Sequence, residues 1–109
     1  DNVVLGTLHW DNNGTYANYG DKTSLSSGTF ADEFHVFSII CDENSIFWYL
    51  DDQLYHSADI TPNGLEEFHE SFFFIFNVAV GGNFSGSPDA STNFPQKMLV
   101  DYVRVFQKQ

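Results

Sequence analysis

Carboxylates outnumber every other ionisable side chain in this sequence, with 15 Asp and Glu against 4 Lys and Arg. Two carboxyl groups held about 5 Å apart can cleave a glycosidic bond, one as the nucleophile and the other as the acid and base. Residues two apart on a strand point to the same side, so a Glu-x-Asp spacing would align such a pair. No predicted strand carries that spacing. The clustered carboxylates fall in predicted turns and one loop, at Asp42-Glu43, Asp51-Asp52 and Glu66, Glu67 and Glu70.

Other catalytic and metal-binding patterns are also missing from the sequence. The four histidines have no partner at a metal-ligand interval: His9, His35, His56 and His69. Gly86-Ser87-Pro88 lacks the second glycine and the strand-to-helix context of a serine nucleophile elbow. Cys41 follows two isoleucines, and with no cationic neighbour it is predicted to be a buried, inert thiol.

The charge of the chain narrows the class of partner. A net charge of -11 argues against nucleic acids and other polyanions, which require clustered Lys and Arg. The same charge fits either a neutral partner such as a sugar polymer or a protein in which the charge serves solubility alone. No window of the sequence is long and apolar enough to span a membrane.

Aromatic and amide side chains remain as candidates for binding. Sugar rings stack on aromatic faces, and their hydroxyls bond to amides and carboxylates. The candidates are Trp10, Trp48, Asn77, Asn83 and Phe84. Trp48 is predicted to lie in the core, whereas Trp10 borders a polar loop and fits either the core or a cleft. A buried Asn77 would cost about 1–3 kcal/mol unless it is paired, either with backbone or, as we favour, with a ligand in a cleft.

Strands and turns must position these side chains. The apolar and β-branched runs predict an all-β fold in a single domain, 1–109, without an internal repeat. The predicted strands are Val3–Trp10, Phe34–Cys41, Ile46–Leu50, Gln53–Ala58, Phe72–Val80, Lys97–Phe106 and a short one at Tyr16–Tyr19. Three of them, from Phe34 to Ala58, are close enough in sequence to form a meander. Phe72–Val80 is predicted to be buried on both faces, and Thr61–Glu70 to be a loop with at most one helical turn. Asp52 is predicted to have a positive φ in its turn.

Four strings give the sequence a specific resemblance. They are Gly6-Thr7-Leu8-His9-Trp10, Trp48-Tyr49-Leu50-Asp51, Phe74 to Asn83 (Phe-Ile-Phe-Asn-Val-Ala-Val-Gly-Gly-Asn) and Val100-Asp101-Tyr102-Val103-Arg104-Val105. In this order and spacing, across nearly the whole chain, they resemble the second half of a laminarinase-type domain of glycoside hydrolase family 16. The resemblance implies a jelly-roll sandwich with a concave glucan-binding face, and retaining hydrolysis of β-1,3- or mixed β-1,3/1,4-glucans. It also implies an extracellular location.

The resemblance also implies roles for individual residues. It places His9 and Trp10 near the cleft, Asn77 on the concave sheet, and Asn83 and Phe84 at the rim. No cofactor is expected. Asp101 matches a position that ligates a structural calcium in many members, but its co-ligands come from the first half of the domain. Cys41 and Phe84 stand where the family usually has Trp, and Asp52 where a turn Gly is usual.

The catalytic Glu-x-Asp-x-x-Glu strand of the family would fall before Asp1. The predicted fold class is therefore an all-β antiparallel β-sandwich, a half or rearranged jelly roll that exposes apolar surface. We expect a homodimer or a complementing N-terminal half to cover that surface. Three functions stay open: a non-catalytic β-glucan-binding half-domain, part of an active β-glucanase completed by a missing half, and a purely structural remnant.

Overall fold

The computed structural model describes residues 2–108. Contacts divide the chain into two compact units, the first ending at Phe72 and the second beginning at Phe73. Each unit is described by itself. All five strands lie in the first unit, and they are all antiparallel.

A long hairpin opens the first unit. Strands β1, Val3–Asn12, and β2, Thr15–Ser24, pair along their whole length. Asn13 and Gly14 form the two-residue turn with φ values of 53° and 80°. Asn-Gly suits such a turn because both central residues need a positive φ. The predicted short strand at Tyr16–Tyr19 is thus only part of a ten-residue strand.

The predicted meander is confirmed as a second sheet in the order β3-β4-β5. Its strands are Phe37–Cys41, Ser45–Leu50 and Gln53–Asp59. Asp51 and Asp52 make the turn between β4 and β5 with φ values of 48° and 66°, as predicted for Asp52. A single 3₁₀ turn at Glu66–His69 follows, in agreement with the prediction for that loop.

The two sheets share one small core. Its buried members come from β1, the meander and the segment that follows it: Leu8, Ile46, Trp48, Ala58, Ile60 and Phe68. Strand β4 alternates strictly between buried and half-buried residues, so that Ile46, Trp48 and Leu50 face inwards. Trp48 is therefore a core residue, as predicted. Its indole stacks on His56 with ring centroids 4.6 Å apart.

Three predictions about burial and strands are wrong. Phe72–Val80 is not a buried strand: every side chain from 71 to 80 is exposed, Phe73 by 81%. Lys97–Phe106 is exposed and forms no ladder either. Strands are stabilised by a hydrogen-bonded neighbour, and among residues 2–108 neither segment has one. Cys41 is exposed rather than buried, because it ends a strand at the edge of its sheet.

The second unit has only local order. A bridge between Gly82 and Gly86 closes a tight turn, and the rings of Phe74 and Phe76 stack with centroids 6.2 Å apart. The guanidinium of Arg104 lies 4.3 Å from the centre of the Tyr102 ring. Within residues 2–108, no helix has the length and apolar character needed to cross a bilayer.

Candidate functional site

The outer face of the β1–β2 hairpin carries a row of polar side chains. Leu8 and Trp10 turn towards the core, so the alternating residues Thr7 and His9 turn away from it. The register places Asn18 opposite His9 and Gly20 opposite Thr7. One face therefore presents an imidazole, an amide and a hydroxyl in a row.

An aromatic pair lies at one end of this row. The Nδ1 atom of His9 is hydrogen-bonded to the hydroxyl of Tyr16 at 2.6 Å. The two rings stack with centroids 5.7 Å apart and planes 22° from parallel. Tyr16 is 66% exposed, so its ring is open to solvent. The hydrogen bond fixes the orientation of both rings and so provides a flat, partly polar surface.

A shallow groove of about 280 Å³ continues along the same face. Leu5, Thr7, Asn18, Gly20 and Lys22 contribute to its lining. Gly20 creates the space, because a Cβ atom there would come within 2.5 Å of the Thr7 Oγ1 atom. Asp21 also contributes to the lining, so the groove offers hydroxyl, amide, ammonium and carboxylate groups beside the apolar Leu5 side chain.

Trp10 lies on the opposite face from His9. It is half-buried against the core and makes an edge contact with Phe68, with centroids 6.1 Å apart. The backbone N–H of Asp11 donates to Glu67 Oε1 at 3.2 Å and ties the end of the strand to the 3₁₀ turn. Of the two alternatives for Trp10, the structure therefore favours the core.

The remaining predicted sugar contacts lie in the second unit. Asn77 is exposed, so the argument from the cost of a buried amide does not apply to it. Asn83 and Phe84 sit together in the turn closed by the Gly86 N–H, which donates to the Gly82 carbonyl at 2.9 Å. The ring of Phe84 is 89% exposed.

Four carboxyl groups have a shifted pKa, and in every case the pKa is lowered: Asp51, Asp59, Glu66 and Asp89. Hydrogen bonds to the carboxylate are the main cause, led respectively by those from His35, Thr61, the Gly64 N–H and Ser91. These bonds favour the ionised form. A glycosidic acid needs the opposite shift, so these four groups are unsuited to that role.

The calcium position that the resemblance assigns to Asp101 stays a prediction. The side chain of Asp101 is exposed. Within residues 2–108 there is no group of three or more His, Cys, Asp or Glu residues that could hold a metal ion. A hard cation such as calcium needs six to eight oxygen ligands, which one aspartate does not supply.

Sequence reasoning missed Tyr16, Asn18 and Gly20 as parts of the site. The stretch from Thr15 to Ser24 is polar and rich in turn formers, so it was assigned mostly to loop. Its pairing with β1 holds it as a strand in spite of its composition. The Asn-Gly turn after an apolar strand was the signal that could have revealed the second strand.

The two-sheet fold and the sequence together relate the chain to the laminarinases, the endo-1,3-β-glucanases of the glycoside hydrolase family that it resembles. No protein-family model matches the chain. The glucan endo-1,3-beta-glucosidase A1 of Niallia circulans is 38% identical over 120 residues, which cover 97% of this chain and 17% of that protein.

Two other proteins extend the comparison. The catalytic domain of an endo-1,3-beta-glucanase (laminarinase) from Thermotoga petrophila superposes with a TM-score of 0.62 and is 34% identical, over 85% of this chain and 39% of its own. A beta-1,3-glucan-binding protein of Penaeus monodon is 30% identical over 85% of this chain and 31% of its own length. The chain thus spans well under half the length of these relatives and matches part of a glucanase domain.

Proposed function

We propose that this chain is a β-glucan-recognising part of a laminarinase-type domain, which binds glucan on the outer face of the β1–β2 hairpin and does not hydrolyse it alone. The observation that carries the proposal is the exposed, mutually oriented pair of His9 and Tyr16 beside a polar groove, in a chain related to glucanases along nearly its whole length.

The chemistry of this face suits a neutral polysaccharide. The apolar face of a glucose ring stacks on Tyr16, and its hydroxyls bond to His9, to the Asn18 amide and to the Thr7 hydroxyl. The chain carries a net charge of -11, which disfavours anionic polymers but leaves an uncharged glucan unaffected. Exposed Asn77, Asn83 and Phe84 are further candidate contacts in the second unit.

The same face lacks the carboxylate pair that hydrolysis requires. Asp11 is the only carboxylate at the alternating positions of this face, opposite Tyr16. Asp21 also borders the groove, but it pairs with Gly6 and so belongs to the alternate set of positions. One Oδ atom of Asp11 also accepts a hydrogen bond from the Gly14 N–H at 3.0 Å, which serves the turn. A single carboxylate cannot act both as nucleophile and as acid, so we expect no turnover.

A second candidate function is participation in an active endo-β-1,3(4)-glucanase whose carboxylates come from another polypeptide segment. It is favoured by the match to 39% of a laminarinase catalytic domain. In either case the polymeric substrate implies an extracellular protein. A reducing-sugar assay with laminarin separates the two functions. If the chain is part of an active glucanase, its mixture with a complementing segment should release sugar, whereas a chain that only binds glucan should release none.

Affinity gel electrophoresis in laminarin, lichenan and xylan tests the binding site. We expect laminarin to retard the wild-type chain, and Tyr16→Ala to weaken retardation roughly tenfold, because it removes the stacking surface. Tyr16→Phe keeps the ring and loses only the bond to His9, so it should fall between the two. Leu54→Ala on the other sheet is the matched control. Unretarded wild type in all three gels would contradict binding, and sugar release by the pure chain would contradict inactivity.

A further inference from the structure

Strand β3 is an edge strand without any feature that blocks pairing. In the order β3-β4-β5, and within the described range 2–108, it has a hydrogen-bonded neighbour on one side only. Its five residues, Phe37–Cys41, include no Lys, no Pro and no charged side chain. The register shift in this sheet lies between β4 and β5, so β3 also lacks a bulge that would twist it away. Natural proteins commonly protect open edges by such features.

The hydrogen bonds at both ends of β3 reveal which of its backbone groups are free. The Asp42 N–H donates to the Ser45 carbonyl at 3.0 Å, and the Asp51 N–H donates to the Val36 carbonyl at 2.9 Å. Bonded pairs alternate in an antiparallel ladder, so Ser38 and Ile40 also bond to β4. The N–H and C=O groups of the three intervening residues, Phe37, Ile39 and Cys41, therefore point outwards from the sheet.

The side chains of these residues are only partly covered, Phe37 by the ring of Phe30 with centroids 5.5 Å apart. Phe37 and Ile39 pair with Leu50 and Trp48 of β4, and so lie on the face that is buried elsewhere in the sheet. At β3 this face is open, and Phe37 and Ile39 are 57% and 64% exposed. The edge thus combines free backbone groups with an apolar strip.

We propose that β3 is the interface for a second copy of this chain, whose own β3 adds antiparallel to it about a two-fold axis at Ile39. The free backbone groups are self-complementary. The outward-facing residues Phe37, Ile39 and Cys41 are spaced evenly about Ile39, so a two-fold axis there brings each of them opposite one of the same three in the second copy. Ile39 then pairs with its counterpart, and Phe37 pairs with Cys41 of the second copy. About six backbone hydrogen bonds form. Such an isologous contact closes a dimer and buries both edges.

Charges at the ends of the interface agree with this register. Cys41 is followed by Asp42 and Glu43, the nearest charged residues on this side. In the proposed pairing Asp42 lies opposite Val36 of the second copy, and Glu43 lies opposite its His35. No two like charges face each other, so the acidic chains meet at a neutral strip. Opposed like charges would have destabilised the pair.

The interface is separate from the proposed glucan site. It lies on β3, whereas the glucan site uses the outer face of β1 and β2. Replacing Ile39 with a charged residue should therefore convert the dimer to a monomer and leave retardation by laminarin unchanged. The two proposals can fail independently.

Size-exclusion chromatography with light scattering tests the dimer. The wild-type chain should run at twice its 12.4 kDa. Ile39→Lys and Ile39→Glu should each be folded by circular dichroism and monomeric, because equal charges meet at the axis. Their mixture should return to a dimer, since the charges are then opposite. Leu54→Lys, on β5 and 54% exposed against 64% for Ile39, should stay dimeric. A monomeric wild type, or a dimer that persists in both Ile39 variants, would overturn the proposal.

Disulfide trapping tests the register. In Phe37→Cys the new thiol should lie opposite the native Cys41 of the second copy, and mild oxidation should give a covalent dimer. Ile40→Cys, on the other face of the strand, should not cross-link. Wild-type Cys41 should not cross-link with itself, because its partner is Phe37. Equal cross-linking of all three proteins would refute this pairing.

Discussion

At Gly6, one added methyl group should perturb the packing of β1 on the second sheet. It is buried on β1, and its backbone lies directly over the indole of Trp48. A Cβ atom on Gly6 would come within 2.8 Å of Cγ and Cδ1 of Trp48 and within 2.9 Å of the Tyr55 hydroxyl. Carbon atoms prefer about 3.5–4.0 Å, so β1 would have to move away from the meander by about 0.7 Å.

The expected cost follows from this displacement. Trp48 is only 7% exposed and stacks on His56, so moving its indole would disrupt that stacking. Overpacking of this kind costs about 1–3 kcal/mol. Alanine recovers roughly 0.5–1 kcal/mol because it lowers the backbone entropy of the unfolded strand. We therefore expect Gly6→Ala to reduce the free energy of unfolding by about 1–2 kcal/mol.

Urea denaturation followed by circular dichroism measures this loss. With a slope of about 2 kcal/mol per molar urea, the urea concentration at the midpoint should fall by roughly 0.5–1 M. The same change in a Trp48→Leu background should cost clearly less, because the smaller side chain leaves room for the Cβ atom. A Gly6→Ala variant as stable as wild type, or equal costs in both backgrounds, would refute the close contact between β1 and Trp48.

Three further predictions concern single groups. Asp52 has a φ of 66°, which glycine adopts without strain. Asp52→Gly should therefore raise the free energy of unfolding by about 0.5–1 kcal/mol, and with it the melting temperature. A lower melting temperature would contradict this. The hydrogen bond from His35 lowers the pKa of Asp51, so this carboxylate stabilises the fold above its ordinary pKa near ~4 and the effect is lost as the pH falls through the lowered value. Asp51→Asn should therefore flatten the acid limb of stability in urea titrations. Cys41 is exposed, but partial desolvation of its thiol, and then the charge of Asp42, raises its pKa. Half-maximal alkylation by iodoacetamide should therefore lie above pH ~8.5, and a faster reaction than that of free cysteine would contradict this.

The sequence alone determined the local parts of this protein. Asp51 and Asp52 at the end of Trp48-Tyr49-Leu50 were enough to predict a tight turn with positive φ, because turn geometry depends on a few adjacent residues. The meander followed from the short connections between its strands. The absence of a Glu-x-Asp spacing was also visible directly, since the direction of side chains in a strand depends only on alternation. The family resemblance rested on four strings that the comparisons bear out.

Tertiary contacts decided which segments form strands and which side chains are buried. Two segments, Thr15–Ser24 and Phe72–Val80, show this in opposite directions. The polar segment Thr15–Ser24 is a full strand because β1 supplies a hydrogen-bonded neighbour for each residue. The far more apolar Phe72–Val80 is no strand, because no described segment pairs with it. Burial likewise depends on what covers a face: Trp48 and Ile39 are register partners, yet only Trp48 is buried. Composition sets the preference for a strand, and a neighbouring chain segment determines whether the strand forms.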